Sequence, residues 1–221
     1  MTELERKALL PAGLRDVLPP FAAFEAEVIE RLMARFAASG YARIKTPLVE
    51  FEDGLLSGPG AAMTADTFRL MDPISQRMMG VRADITPQIA RIASTRLGSA
   101  PRPLRLGYSG EVLRVKGTQL RPERQFAQVG AELIGAEGAA ADAEMIVLAV
   151  DALDAVGVAD LTVDLTIPPL VPALLDGAAI DGGRRAELRE ALDHKDTTTV
   201  AEIGGDAAPI LSSLIAAAGT A

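Results

Sequence analysis

The sequence predicts an α+β fold in which an antiparallel sheet is flanked by helices. Two segments, 21–36 and 145–156, repeat apolar residues at helical spacing, which indicates amphipathic helices. Two further segments, 104–115 and 124–134, are predicted strands, and the short stretch 116–123 that joins them favours antiparallel neighbours in a hairpin. With 221 residues, of which 49% are hydrophobic, the chain is long enough to bury a substantial core.

The first helix is predicted to start after Pro20 and to end at Gly40, a residue type that commonly follows the last helical turn. Its predicted inner stripe comprises Phe21, Phe24, Val28, Ile29, Leu32, Met33 and Phe36. The strand that follows, 41–46, should stop at Pro47, because proline has no N–H to donate to a sheet ladder.

A strand is predicted over 78–84, followed by a helix for which Thr86 is a natural N-cap and Pro87 the first helical residue. After the hairpin and the second amphipathic helix, the segment 161–167 alternates leucine, valine and isoleucine with threonine and aspartate. This alternation predicts another strand, ended by Pro168.

The alanine-rich segments from Ala173 onward predict short helices separated by glycines. We therefore expect two parts, a core over residues 1–170 and a helical segment or connecting subdomain over 171–221.

The predicted strand 124–134 alternates apolar residues with Gln128, Gly130 and Glu132. Two interpretations remain open for its polar side. It is either a solvated outer face or the floor of a pocket, where a glycine without a side chain lets a small ligand approach between an amide and a carboxylate.

Composition excludes several classes of protein. The chain has no cysteine and one histidine, so thiolate or multi-histidine metal sites are excluded, and we expect neither a metal nor a cofactor. The start, Met1 to Lys7, mixes charges and does not resemble a secretory signal. No segment approaches the roughly 20 apolar residues of a membrane span. We therefore expect a cytoplasmic protein that does not bind membranes.

Charge argues against nucleic acid as a partner. The net charge is -8, with 30 acidic and 22 basic residues, so the chain as a whole repels phosphate backbones. Basic residues are nevertheless concentrated between Arg102 and Arg124, where six of them accompany two acidic residues. This stretch is either a basic loop on an acidic protein or a site for a phosphate or carboxylate.

Three segments, in this order, resemble the histidyl-tRNA synthetase-like branch of the class II aminoacyl-tRNA synthetases. Residues 10–19 are similar to the start of that family, and Gly40 to Pro47 is similar to its motif 1. Residues 108–114, continued by 125–132, are similar to its motif 2. The resemblance implies a class II core sheet and a homodimer formed through the motif 1 region.

Two departures favour one group within this branch. The motif 2 arginine is followed in synthetases by a glutamate that helps to hold ATP, but here Arg114-Val115-Lys116 places a lysine at that position, and a lysine cannot accept hydrogen bonds. The segment Arg82 to Arg91 is similar to regulatory subunits of ATP phosphoribosyltransferase. That resemblance implies a non-catalytic protein of histidine biosynthesis, which supports a short catalytic subunit and mediates feedback by histidine.

The same resemblance implies a site for free histidine. The matching positions are Asp84, Thr86, Arg114, Gln128 and Glu132. The two carboxylates suit the ammonium group of an amino acid, and the arginine suits its carboxylate. A vestigial pocket, whose polar groups merely satisfy one another, is the alternative.

Motif 3 of the family is not found before Ala221, so we expect a class II sheet that is incomplete at the C-terminus and a pocket that binds histidine more weakly than a complete relative does. Two other functions stay open: a divergent or fragmentary synthetase that activates an amino acid, and a dimerisation module with an idle pocket.

Overall fold

The computed structural model of the chain describes residues 9–167, 169–178 and 180–217. Residues 1–8, for which the sequence predicts no secretory signal, and Pro168, the predicted end of a strand, lie outside the described residues. The chain divides into two compact units, Met1–Leu161 and Thr162–Ala221. The predicted division into 1–170 and 171–221 stays a prediction.

The first unit contains the predicted hairpin and both amphipathic helices. Its elements, in chain order, are α1 Phe21–Ala38, β1 Ala42–Ile44, β2 Val49–Phe51, α2 Glu52–Leu55, a 3-10 helix Gly58–Met63, β3 Phe68–Met71, β4 Met78–Val81, α3 Thr86–Ser94, β5 Leu104–Leu113, β6 Gln125–Ile134 and α4 Ala139–Ala155. The short strands β2 and β3 were not predicted, because three or four residues give too little alternation to detect. Strands β1 and β4 are shorter than predicted.

The described residues of this unit form two three-stranded sheets, one with the order β1-β5-β6 and one with the order β2-β4-β3. Strands β5 and β6 form the predicted antiparallel hairpin, with Leu104 opposite Ile134 at one end and Leu113 opposite Gln125 at the other. Strand β1 runs parallel to β5, so this sheet is mixed rather than purely antiparallel. The α+β class is confirmed.

Helices cover both faces of the hairpin. On one face, α1 and α4 pack against β6, and the buried residues are Met33, Phe36, Tyr41, Leu148 and Ala152. On the other face, α3 packs against β5, and the buried residues are Ile85, Ile89, Leu106, Tyr108 and Val112. Successive side chains of a strand point to opposite faces, so the hairpin contributes to both clusters. The face next to α3 carries the polar residues of β6.

Helix α1 buries only part of its predicted apolar stripe. Met33 and Phe36 are buried, whereas Phe21 and Phe24 are 70% and 64% exposed. The helix ends as predicted, with Gly40 at a φ of 83°, a left-handed conformation that glycine adopts without strain. The N-terminal half of α1 therefore presents aromatic side chains at the surface of this unit.

The prediction of a strand over 161–167 is wrong. These residues form irregular structure, and Leu165 and Ile167 are 72% and 67% exposed. A strand requires hydrogen-bonding neighbours as well as an alternating sequence, and no described strand pairs with this segment.

The second unit is helical, as predicted for the alanine-rich region. Its helices are α5 Leu170–Gly177, α6 Gly182–Asp193, α7 Thr197–Ile203, a 3-10 helix Gly205–Ala207 and α8 Ala208–Ala217. They surround the buried residues Leu175, Leu188, Ala191, Val200, Ala207 and Leu211. The side chains of Asp181 and Asp196 accept backbone N–H groups at the starts of α6 and α7. Among the described residues, no helix is both long and apolar enough to cross a lipid bilayer.

Candidate functional site

The polar side chains of β6 lie under α3 and are half-buried rather than solvated. Gln128 and Glu132 are two residues on either side of Gly130, and Gly130 lies directly opposite Tyr108 of β5. A side chain at Gly130 would place its Cβ 2.9 Å from Cε2 of Tyr108, and nearer still to Cζ and the hydroxyl oxygen. Of the two interpretations left open for this face, the one in which Gly130 leaves room for a ligand does not hold at this residue, because the Tyr108 ring occupies that space.

The turn between β4 and α3 brings Asp84 to the same place. Oδ1 of Asp84 accepts the backbone N–H of Thr86 at 2.8 Å and the side-chain amide of Gln128 at 3.0 Å. The carbonyl oxygen of that Gln128 amide accepts the N–H of Ile85 at 2.9 Å. The prediction of Thr86 as N-cap is wrong, because Thr86 is already the first residue of α3 and the carboxylate two residues earlier satisfies its N–H.

Hydroxyl groups complete a chain of hydrogen bonds across the site. The oxygens of Thr86 Oγ1 and the Tyr108 hydroxyl are 3.0 Å apart, and the Tyr108 hydroxyl donates to Oε1 of Glu132 at 3.3 Å. Because a tyrosine hydroxyl has one proton, Tyr108 accepts from Thr86 when it donates to Glu132. Four of the five predicted residues, all except Arg114, are thus linked through Tyr108.

Burial dominates the electrostatics of this cluster. It raises the pKa of Glu132, and the negative charge of Asp84 acts in the same direction, although the hydroxyls of Thr86 and Tyr108 oppose it. Burial also raises the pKa of Tyr108 to about 12, so this hydroxyl keeps its proton at neutral pH. In the described part of the chain, no lysine or arginine lies within ion-pair distance of either carboxylate. The cluster therefore concentrates negative charge without a basic partner.

We expect the raised pKa to appear in the pH dependence of stability. The folded chain holds the Glu132 proton more tightly than the unfolded chain does, so this group's contribution is fully present below its unfolded pKa and is lost as the pH rises through the folded pKa. The difference in unfolding free energy between the wild type and Glu132→Gln should therefore fall from acidic toward neutral pH. Denaturant titrations across this range measure it, and a difference that rises with pH or stays constant would contradict the prediction.

Arg114 lies beside the cluster rather than in it. Its Nε donates to the carbonyl oxygen of Ala83 at 3.4 Å, and its guanidinium carbon is 5.3 Å from the centroid of the Phe126 ring. Arg121, from the connection between β5 and β6, lies 4.4 Å from the same ring centroid. Lys116, which replaces the synthetase glutamate, is exposed. The basic stretch thus borders the turn that carries Asp84.

Tyr108 belongs to the candidate site, although the sequence did not predict it there. It stands in the motif 2 segment, but its role depends on the register of the hairpin, which puts it opposite Gly130. If the two strands are paired outward from the short connection, residue 113 faces residue 125 and Tyr108 faces Gly130. A large ring opposite a glycine on the same face could therefore have indicated that Tyr108 lies beside Gln128 and Glu132.

A surface cavity of about 650 Å³ lies elsewhere and is lined by no predicted site residue. Arg105 donates to both carboxylate oxygens of Glu144 at 2.7 Å, and the Tyr41 hydroxyl donates to the same group at 2.8 Å. These bonds lower the pKa of Glu144 to about 2, so its charge is already matched by Arg105. Within the described ranges, no three metal-binding side chains come together.

Comparison with known proteins connects this geometry to a family. The histidyl-tRNA synthetase family matches residues 13–220. An ATP phosphoribosyltransferase regulatory subunit of Paramagnetospirillum magneticum is 62% identical over all 221 residues, which cover 58% of that relative. A protein of the same name from Rhodospirillum rubrum is 60% identical over 97% of this chain, and the match covers 56% of that relative. The chain therefore spans just over half the length of these relatives.

Solved structures agree on the fold. A structure from Bacillus halodurans, described as an ATP phosphoribosyltransferase regulatory subunit/histidyl-tRNA synthetase, has a TM-score of 0.75 and 28% identity, covering 94% of this chain and 55% of that one. A histidyl-tRNA synthetase from S. aureus is similar in fold alone. Its TM-score is 0.56 and its identity 24%, and the match covers 68% of this chain and 35% of that one. The predicted class II core and the resemblance to regulatory subunits are confirmed.

Proposed function

Because this chain belongs to the histidyl-tRNA synthetase family and is similar to ATP phosphoribosyltransferase regulatory subunits, we propose that it regulates that enzyme in the cytoplasm. In this proposal it associates with a short catalytic subunit and binds free histidine as the feedback signal. The ligand site comprises Asp84, Thr86, Arg114, Gln128 and Glu132, together with Tyr108.

One observation supports a histidine site above the others: two half-buried carboxylates share a hydrogen-bonded cluster that has no basic partner. Buried carboxylates without a cation are costly, and a ligand that carries an ammonium group would supply the missing charge. Arg114, adjacent to Asp84 through the Ala83 carbonyl, is near enough to the turn to attract the ligand's carboxylate. A cluster with both features suits a small amino acid.

An amino-acid-activating enzyme is the second candidate, and the fold supports it. The exposed Lys116 disfavours it, because a lysine cannot accept the hydrogen bonds that the glutamate of motif 2 accepts. Histidine-dependent exchange of pyrophosphate into ATP distinguishes the two functions. Exchange above background would favour the enzyme, whereas histidine binding without exchange would favour the regulatory subunit.

Size-exclusion chromatography with light scattering tests the proposed partnership. The chain is mixed with the short ATP phosphoribosyltransferase subunit from the same source, and each protein is also run alone. A shared peak heavier than either protein supports the proposal. Separate peaks from a folded chain would remove the regulatory function and leave pyrophosphate exchange as the decisive assay.

We further propose a homodimer formed through the motif 1 region, which includes α1 and β1. The exposed aromatic rings of Phe21 and Phe24 support this, since large apolar groups left at a surface commonly mark an interface. Homodimerisation would cover these rings with the same surface of a second copy.

We expect Phe24→Glu to weaken this dimer, because the substitution places a charge where the proposed interface would exclude water. Sedimentation velocity at several protein concentrations should show a monomer at concentrations where the wild type is a dimer. Ile210→Glu in α8 is the matched control, because Ile210 is also an exposed apolar residue but lies in the second unit. A Phe24→Glu protein that dimerises like the wild type would contradict the proposed interface.

A further inference from the structure

Arg82 stands out among the charged residues that the structure describes, because it is buried and forms no ion pair with any of their carboxylates. Only 6% of its surface is exposed, and burial lowers the pKa of its guanidinium. Its hydrogen bonds go to neutral oxygens: Nε donates to the Glu111 carbonyl at 2.7 Å, and Nη1 donates to Thr46 Oγ1 at 2.8 Å and to the Thr46 carbonyl at 3.1 Å. The negative charges of Glu111 and Glu50 attract the guanidinium, but burial outweighs them, so the position of this cation is costly and calls for a reason.

These bonds join three parts of the chain that are distant in sequence. Thr46 follows β1, Glu111 lies in β5, and Arg82 itself follows β4. The backbone adds two more links, from the Arg82 N–H to the Leu48 carbonyl and from the Leu113 N–H to the Arg82 carbonyl, both at 3.0 Å. Arg82 therefore ties the end of β4, a strand of one sheet, to β5 and to the residue after β1 in the other sheet.

The close approach of β5 depends on a glycine. A Cβ at Gly110 would be 3.2 Å from the guanidinium carbon of Arg82, and nearer still to Nη2. The backbone at this position thus leaves space that the guanidinium fills, and a side chain would displace it.

The turn that carries the proposed ligand groups starts at the next residue. Ala83 offers its carbonyl to Arg114, Asp84 binds Gln128, and Ile85 donates to the same amide. Arg82 donates to none of these three groups. It is linked to the site through the backbone that it holds and through Thr46, whose hydroxyl donates to Oε1 of Gln88 in α3 at 2.8 Å.

We propose that Arg82 is a positioning residue, which sets ligand affinity by fixing the turn 83–86 against β6 without touching the ligand. This inference depends on the proposed function for the identity of the ligand, histidine. The role of Arg82 in holding the turn depends only on the contacts described above. Arg82→Lys is the informative change, because a compact ammonium group cannot reach the several oxygens that the planar guanidinium reaches.

The experiment combines calorimetry with histidine and proton–nitrogen NMR spectra of the unliganded protein, in which the Ile85 backbone amide and the Gln128 side-chain amide report the turn. In Arg82→Lys both signals should shift, and histidine affinity should fall on the order of tenfold. Arg105→Lys is the matched control, because Arg105 lies on β5 and binds Glu144 away from the site. It should leave both signals and the affinity unchanged.

A folded Arg82→Lys protein whose two signals stay in place would overturn the proposal, as would shifted signals with unchanged histidine affinity. If Arg82→Lys does not fold, Arg82→Gln removes the buried charge together with the guanidinium, and the same two signals must shift. A wild type that binds no histidine would remove the proposed function instead, and the two signals alone would then decide the role of Arg82.

Discussion

Glu132→Gln should weaken histidine binding by about tenfold to a hundredfold, because a hydrogen bond to a charged group is worth about 1.5–3 kcal/mol. The glutamine keeps the size of the side chain and an oxygen for the Tyr108 hydroxyl, which donates to Glu132 at 3.3 Å. What it removes is one of the two negative charges that would meet an ammonium group. Isothermal titration calorimetry with histidine at neutral pH measures the effect.

The matched control is Glu137→Gln. Glu137 is exposed and follows the same strand. Its replacement by glutamine changes the net charge by the same amount as Glu132→Gln but leaves the cluster intact. Equal histidine affinity for the wild type and Glu132→Gln would show that the pocket is idle, which was the vestigial interpretation of the sequence. A similar loss in Glu137→Gln would assign the effect to overall charge.

Gly130→Ala should destabilise the folded first unit by about 1–3 kcal/mol, the usual cost of overpacking a well-filled interior. The added methyl group would lie less than 3 Å from the Tyr108 ring, which also packs in the cluster beneath α3. Displacing the ring would also separate its hydroxyl from Thr86 and Glu132. Chemical denaturation followed by circular dichroism measures the loss of unfolding free energy.

A double-mutant cycle identifies the cause. In the background of Tyr108→Ala, which removes the ring, Gly130→Ala should cost much less than it does in the wild type. Gly54→Ala is the control, because a Cβ built there meets no atom within 4 Å beyond its chain neighbours and the backbone of its own helix. Equal costs of Gly130→Ala in both backgrounds would show that contact with Tyr108 does not determine the effect.

The sequence predicted the parts of the fold that depend on local pattern. Alternation in 124–134 predicted β6 and the shared face of Gln128 and Glu132, and the short connection predicted the hairpin. The pattern could not say what covers that face. A strand's polar side faces either water or another element, and the position of α3 above Gln128 depends on contacts between residues far apart in sequence.

Local rules failed where tertiary contacts decide. Thr86 has the residue type of an N-cap, but the Asp84 carboxylate satisfies its N–H and the helix starts one residue earlier than that rule implies. Residues 161–167 have the pattern of a strand but no described strand pairs with them. In both cases the local pattern was the expected one for the predicted element. The structure depended instead on a contact, or on the lack of one, that the local sequence does not show.

The parallel pairing of β1 with β5 has a consequence for the order of folding. The hairpin β5–β6 closes through a short connection, whereas β1 reaches β5 only after the chain has passed through residues 45–103. Closing a long loop costs more entropy than closing a short one, so the hairpin is expected to form first. The hairpin places Gln128 and Glu132 on one face, but Asp84 and Thr86 reach them only when residues 45–103 have folded. The complete cluster is therefore a late product of folding, and its assembly reports that the first unit has reached its native state.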